Sequence, residues 1–440
     1  MADLSKEKFV LVQQDAILYD EQMKSKPIGY YKDAWIRFRK NKASVAAAII
    51  LAILIFMAII GPWINKDYTL FDDSVKWSTR LANMPPRISW LAWTGSFDGY
   101  KEVTGDPRNF SNYPEGIIIE QKSYNPITHQ VTLIIDYYAY VNYKYSAEID
   151  ESTQLYTTSS YTTLSIAEYE AVKAAEEASG ETIILEDAPM VNSAYRVRLD
   201  YYKFLYYVYD VEEVNFDFGS DSMGRDLFTL LWEGARVSLL IAFTVASINI
   251  IIGMILGSIS GYYGGWIDMT MERISEILAG LPFLAILTLL LLRYGNTVWV
   301  VILAFTMTGW LGISSLTRTQ FYRYKRREYV LAARTLGAGD ARIITRHIFP
   351  NAIGTLITSM ALYIPSIIFA ESTYSFLGII NYAETTSVGR LLSNGQLVMK
   401  ESLYQLVFPA IFISLLMLSF NLFGNGLRDA FNPSLRGVEE

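Results

Sequence analysis

The chain has 440 residues, 52% of them apolar and only 18% charged, with a formal net charge of −7, no cysteine and two histidines. Disulfides and thiol redox chemistry are excluded, and His129 and His347, far apart in the sequence, offer no histidine-rich site for a transition metal. The few charges are also unevenly spread, so the chain occupies more than one environment.

Residues 24–42 hold seven Lys or Arg and one Asp. Ile28, Tyr31, Trp35 and Phe38 recur there at helical spacing, which predicts a helix lying on a membrane surface. Uncharged runs then cover 43–64, 237–267, 277–292, 294–317, 351–370 and 402–427. A helix needs ~20 apolar residues to cross the hydrocarbon core, so these runs predict six spans, the third being short and interrupted by Pro282. The first run is long enough to span and is expected to be kept rather than cleaved as a leader.

Between the first two spans the composition changes. Residues 66–217 carry 24 Asp or Glu against 12 Lys or Arg, a balance of −12 within a chain of −7, and 18 of the 31 tyrosines. VTLIIDYYAYVNYKY and YRVRLDYYKFLYYVYD read as strands from their β-favouring residues. Ser165 and Glu168 have the spacing of a capping box, ahead of a helix expected to end near Gly180. A segment of this size can hold a core of its own, which predicts an α+β insert over 65–221.

The segment 318–350 holds eight Lys or Arg against Glu328 and Asp340. Basic flanks stay in the cytoplasm, so the arm 1–42, this loop and the tail 428–440 are expected inside, and the insert outside. The remaining divisions are a first transmembrane helix at 43–64 and a core at 222–427. Within the loop, residues 328–336 favour helix, Gly337 suits a left-handed turn, Asp340 is placed to cap the next helix and Pro350 closes it. Asp221, Arg225 and Asp226 precede the second span as an expected cap and local ion pairs. Glu371 follows twenty uncharged residues, and a carboxylate there is expected to face a cavity or a partner, with Arg390 or Arg293 as the basic candidates. GYYGGWID is glycine-rich but reads as a tight turn, and no Gly-Lys dipeptide exists to form a Walker A loop.

GSDSMGRDLFTLLWEGARVSL, GYYGGWID, EYVLAARTLGAGDARIITRHIFPNA, AESTYSFLGI and NLFGNGLRDAFNPSLR occur in that order between 218 and 436. Together they resemble the dipeptide, oligopeptide and nickel branch of ABC-type importer permeases. Ala332, Ala333, Gly337, Phe349 and Pro350 fit the spacing of that family's Glu-Ala-Ala loop. Leu331 stands where the family has Glu, and Glu328 lies about one turn earlier on the same helix face. After Gly378 the family's Pro-rich outer loop is replaced by IINYAETTSVGRLL, and the insert lies outside the resemblance.

The resemblance implies an all-α polytopic membrane fold of six transmembrane helices around the α+β insert. It implies ATPase coupling through Glu328, Leu331, Ala332, Ala333, Gly337 and Asp340, with Glu371 at the translocation path or outer gate, and neither catalytic residues nor a metal. This subunit would bind no cofactor, because ATP and Mg would sit on two ATP-binding subunits. The other partners implied are a second homologous permease, an extracellular solute-binding lipoprotein, a peptide substrate and the lipid of the plasma membrane, with no nucleic acid. Peptide is favoured over the alternative, nickel or another small solute, by the scarcity of histidine and the large tyrosine-rich insert. A secondary transporter would show matching halves with interrupted helices, and a receptor would need an output domain; neither is visible.

Overall fold

A computed structural model describes residues 30–64, 79–111, 113–146, 162–191, 194–211, 214–382 and 385–431. Helix α1 (Tyr30–Lys40) packs Ala34 and Phe38 against the C-terminal end of the chain, where the Phe38 ring meets Phe423 edge-on at 5.6 Å. Trp35 points away and is exposed. The expected arm helix is therefore present, but part of its apolar face is spent on protein contacts; Ile28 lies outside the described residues. Helix α2 (Lys42–Ile60) starts at Asn41, whose side chain accepts a hydrogen bond from the Ser44 N–H.

The bundle continues with α6 (Leu227–Tyr263), α7 (Gly265–Ala279), α8 (Phe283–Tyr294), α9 (Val298–Tyr324), α10 (Glu328–Thr335), α11 (Phe349–Ala361), α12 (Tyr363–Phe376), α13 (Val388–Leu397) and α14 (Tyr404–Phe431). Among the described residues, five stretches are long and apolar enough to cross a membrane: Lys42–Trp63, Leu227–Tyr263, Val298–Tyr324, Asp340–Phe376 and Tyr404–Phe431. A sixth exists only if α7 and α8 count as one span bent by 72°. The third expected span is thus a broken helix. Pro282 lacks an N–H and biases the preceding residue away from the helical region, so the helix must restart after it.

Leu239, Ile241 and Val245 of α6 pack with Val301 and Phe305 of α9 and with Ile367 of α12 in the main core. Further along, α6 presents Gly253, Gly257 and Gly261 to α9. A Cβ at Gly253 would lie 2.8 Å from the Ile313 side chain, and one at Gly261 2.7 Å from the Arg318 carbonyl. Small residues every fourth position let two apolar helices approach at backbone distance.

The insert is built in two related halves. Strands β1 (Tyr100–Gly105), β2 (Ile118–Asn125) and β3 (Gln130–Asp136) form an antiparallel sheet of order β1-β3-β2. Strands β4 (Thr162–Leu164), β5 (Ile184–Val191) and β6 (Ala194–Leu199) repeat the pattern as β4-β6-β5. In both, the central strand runs into Asp-Tyr-Tyr and turns into a helix, α3 (Tyr137–Ser146) or α5 (Tyr201–Tyr209).

This corrects the all-strand reading of the two tyrosine-rich segments, each of which is half strand and half helix. Asp136 accepts from the N–H groups of Tyr138 and Ala139, and Asp200 from that of Lys203, so each carboxylate starts a helix despite the β-favouring residues that follow. Burial of Tyr138 and Val141 in α3, and of Tyr201, Phe204 and Leu205 in α5, holds them there. The second half also contains α4 (Ile166–Ser179), with the expected Ser165–Glu168 capping box and Gly180 at φ +72°. In the corresponding place the first half has a single 3-10 turn, Pro107–Phe110.

The insert is fastened to the bundle at the start of α14. Gln405 donates to the Asn83 side chain at 2.8 Å, Tyr404 donates to the Ser220 carbonyl at 3.0 Å, and Phe218 stacks on Phe408 at 4.2 Å.

Candidate coupling loop and buried carboxylate

Helix α10 ends in a closed C-cap. The Ala338 N–H reaches the Ala333 carbonyl and the Gly337 N–H reaches that of Arg334, both at 3.0 Å, with Gly337 at φ +83°. This is the Schellman arrangement, in which a left-handed residue satisfies carbonyls the helix would leave open. Gly339 then caps the next turn, Asp340–Arg342, which continues through a π-helical segment, Ile343–Ile348, into α11. Asp340 does not act as the cap expected of it. It occupies the first helical position, and its carboxylate accepts a 2.5 Å hydrogen bond from the Tyr262 hydroxyl.

Tyr262, at the end of α6, ties the loop to the bundle. Arg334 donates to its hydroxyl at 3.2 Å, and the guanidinium lies 5.7 Å from the ring centre. Beneath them Val330 of α10 is buried with Tyr262, Phe321, Ile343 and Ile348. Lys325 donates to the Gly261 carbonyl at 2.8 Å. Next to this, Asp268 of α7 receives a bidentate pair from Arg318 at 2.6 and 2.8 Å and a 2.6 Å bond from Tyr322, joining α7 to α9. Ser260 also donates to Asp268.

The far side of α10 faces outward. Glu328, Tyr329, Leu331, Ala332 and Leu336 are exposed, with Leu336 at 87%, and Ala333 is half-buried. Glu328 and Leu331 thus lie on one open face, as their spacing suggested. An exposed apolar strip flanked by basic residues, and packed from behind, is suited to being gripped by another protein.

Glu371 lies within α12 with no exposed surface. Its carboxylate accepts from Ser238 of α6 at 2.9 Å, from Ser375 at 2.9 Å and from the Tyr382 hydroxyl at 3.2 Å, with Ser372 at 3.4 Å. Neither Arg390 nor Arg293 pairs with it. Arg390 donates to the Tyr382 carbonyl, and Arg293 lies over the Tyr294 ring. Gly389 of α13 sits so close that a Cβ there would be 2.6 Å from the Ser372 Cα. The carboxylate therefore works as a knot that joins α6, α12 and the segment leading to α13, and in this conformation it lines no open cavity.

Asp221 and Arg225 form the expected local pair, at 2.8 Å, and Asp226 caps α6. Tyr262, Asp268, Arg318, Ser238 and Tyr382 went unnoticed in the sequence. The glycines at 253, 257 and 261 were the available signal for the α6–α9 contact, and Asp268, the first charge after a long uncharged run, was a second. No group of three or more metal-binding side chains occurs among the described residues.

Residues 253–437 match the family described as binding-protein-dependent transport system inner membrane component, and residues 29–86 match the N-terminal TM domain of oligopeptide transport permease C. The chain is 44% identical over 220 residues to the dipeptide transport system permease protein DppC of Bacillus subtilis, covering 50% of this chain and 69% of that one. It is 42% identical over 219 residues to the oligopeptide transport system permease protein OppC of the same organism, covering 50% and 72%. To OppC of Escherichia coli K12 the identity is 38% over 219 residues, with the same two shares.

Proposed function

This chain belongs to the family of binding-protein-dependent transport inner-membrane components, and we propose that it is one permease subunit of an ATP-driven importer carrying dipeptides or oligopeptides into the cell. The observation that carries the choice of cargo is the 44% identity over 220 residues to a dipeptide permease. In this reading the partners are a second homologous permease, two ATP-binding subunits that hold ATP and Mg, and a solute-binding lipoprotein that delivers peptide from outside.

The exposed strip of Tyr329, Leu331, Ala332 and Leu336, with Glu328 beside it, seats in a groove of one ATP-binding subunit. Leu331 supplies apolar packing where the family has a carboxylate. When the ATP-binding subunits close, α10 moves as a rigid piece. Tyr262, held by Asp340 and Arg334, passes the displacement to α6, and the Asp268–Arg318 pair carries it to α7 and α9. At the other end of α6, the Glu371 knot keeps α12 and Tyr382 moving with it as the outer gate.

Reconstituting the chain with its partner subunits in proteoliposomes tests the reading. ATP-dependent uptake of a labelled tripeptide, unaffected by excess nickel, is the expected result; uptake of nickel but of no peptide would overturn it. Orientation is checked in cells with a membrane-impermeant thiol reagent, since the chain has no cysteine of its own. Ser123→Cys on β2 should be labelled and Gly339→Cys spared.

A further inference from the structure

The two halves of the insert differ in one respect that matters for binding. In the second half α4 lies against α5 and β6 and buries Val172 completely. The first half has only the turn Pro107–Phe110 in that place, and a cavity of about 360 Å³ remains between β1, the turn and α3. Ile135 lines it together with Phe110, Tyr113, Tyr137, Tyr140 and Tyr143. Gly105 leaves room there for the Phe110 ring, since a Cβ would come 3.0 Å from it.

The charged side chains that line this cavity are all basic, with Glu401 the carboxylate that acts on Lys101 from outside it. Lys101, Arg108 and Lys144 line it, and no Asp or Glu does, although the insert as a whole is acidic. The Lys101 ammonium lies 4.7 Å from the centre of the Tyr137 ring. No carboxylate of the described residues forms an ion pair with Lys101 or Lys144, and Arg108 has only a 3.6 Å approach to Asp106. Burial pushes the Lys101 pKa down and Glu401 offsets part of this, leaving a cost that a bound anion would relieve. Lys101, Val103 and Thr104 also line a second cleft of about 860 Å³, which contains Asp98, Glu102 and Glu401 as well as Lys400 and borders the first turn of α14. The strand between the two, β1, is an edge strand with one side unpaired in its sheet.

We propose that the aromatic cavity binds the carboxylate end of a short peptide, with its last side chain among the tyrosines and its carboxylate among Lys101, Arg108 and Lys144. The rest of the peptide passes the free edge of β1 toward the second cleft, where Asp98, Glu102 and Glu401 outnumber Lys101 and Lys400 and offer carboxylates to its ammonium end. A volume near the lower limit for ligand sites fits a terminal residue, and edge strands accept extended chains through their free backbone groups. Aromatic rings beside cations match an apolar side chain carrying a carboxylate. The proposal rests on the peptide-importer reading and adds to it a receiving site on the permease itself.

The test uses the full chain in lipid nanodiscs and titration calorimetry with Ala-Phe, its C-terminal amide and glucuronate. Saturable binding of Ala-Phe is expected, at least tenfold weaker for the amide, and weakened at least tenfold by Lys101→Met. Arg108→Gln is expected to weaken it severalfold, and this residue is too exposed, at 79% of its side chain, for the change to unfold the insert. Equal binding of acid and amide, no binding of either, or tighter binding of glucuronate would overturn the proposal. The two readings fail separately: peptide uptake by the wild-type importer without nanodisc binding removes only this site. Acid-selective binding without any peptide uptake removes the transport reading instead.

Discussion

Gly337 and Gly339 make a matched pair for testing the loop. Both lie in open space, with nothing within 4 Å of an added Cβ, so a methyl group meets no steric obstacle at either. They differ in backbone conformation: Gly337 has φ +83°, whereas Gly339 has φ −70° and ψ 158°, which any residue adopts. At 337 an L side chain in the left-handed region costs ~1–2 kcal/mol. A penalty of that size lowers the population of the closed Schellman turn about five- to thirtyfold. At 339 the same change costs nothing in strain and restricts the unfolded chain, an effect of about +0.4–1 kcal/mol. ATP-driven uptake in proteoliposomes should fall in the order wild type, Gly337→Asn, Gly337→Ala, Gly337→Val, since Asn tolerates the left-handed region best among non-glycine residues. Gly339→Ala should transport normally. ATPase activity should persist in Gly337→Val while uptake is lost, because the damage lies in transmission. If Gly337→Val and Gly339→Val transport alike, the capped turn is not what couples the helices.

Glu371→Ala should strand the Ser238, Ser375 and Tyr382 hydroxyls and destabilise the bundle by about 1–3 kcal/mol or more, whereas Glu371→Gln keeps the shape; thermal unfolding in detergent separates the two. Gly257→Val should reduce assembly of the membrane-embedded core, since its Cβ would lie 2.8 Å from that of Thr317 and nearer still to the Ser314 carbonyl; a variant that assembles with unchanged thermal stability would contradict the close α6–α9 contact. In the insert, burial raises the Glu176 pKa, but the N–H groups of Ile184 and Ile183 together with Lys173 more than offset it and hold it below its usual 4.5. Its stabilising effect is therefore complete above that range and is lost as pH falls through the lower folded value. Protection factors for amide exchange over α4 and β5, corrected for the pH dependence of the intrinsic rate, should fall on acidification in the wild type, and Glu176→Gln should be less protected at neutral pH with a flatter acid response.

Local punctuation was the most readable part of the sequence. Gly337, Gly180, the Ser165–Glu168 box and Asp226 each act through their own backbone neighbourhood, and each does what its spacing implied. Asp340 failed as a cap because Tyr262, 78 residues earlier, claims its carboxylate, and no local rule contains that partner. The tyrosine-rich segments failed for a related reason. Their β-favouring composition is overruled at Asp136 and Asp200, where a cap and a buried helix face outweigh propensity. The Glu371 site could be named but not understood, because its donors come from Ser238 and Tyr382 on other elements. The knot exists only once α6, α12 and the outer segment have packed.

Helix α14 is clasped at both ends. Its first turns hold the insert through Tyr404, Gln405 and Phe408, and its last turns hold α1 through Phe423 and Ala430. With 28 residues it is ~42 Å long, enough to reach from one face of a membrane to the other. A helix is stiff along its axis, so it behaves as a push-rod whose softest point is set by Pro409, near the insert, where a ladder bond is missing. A load on the insert would tilt it about that joint and shift the remainder of the rod lengthwise, with α1 riding on the far end. Helix α1 and the insert are thus joined through one continuous helix, by contacts separate from those that hold the loop at Gly337.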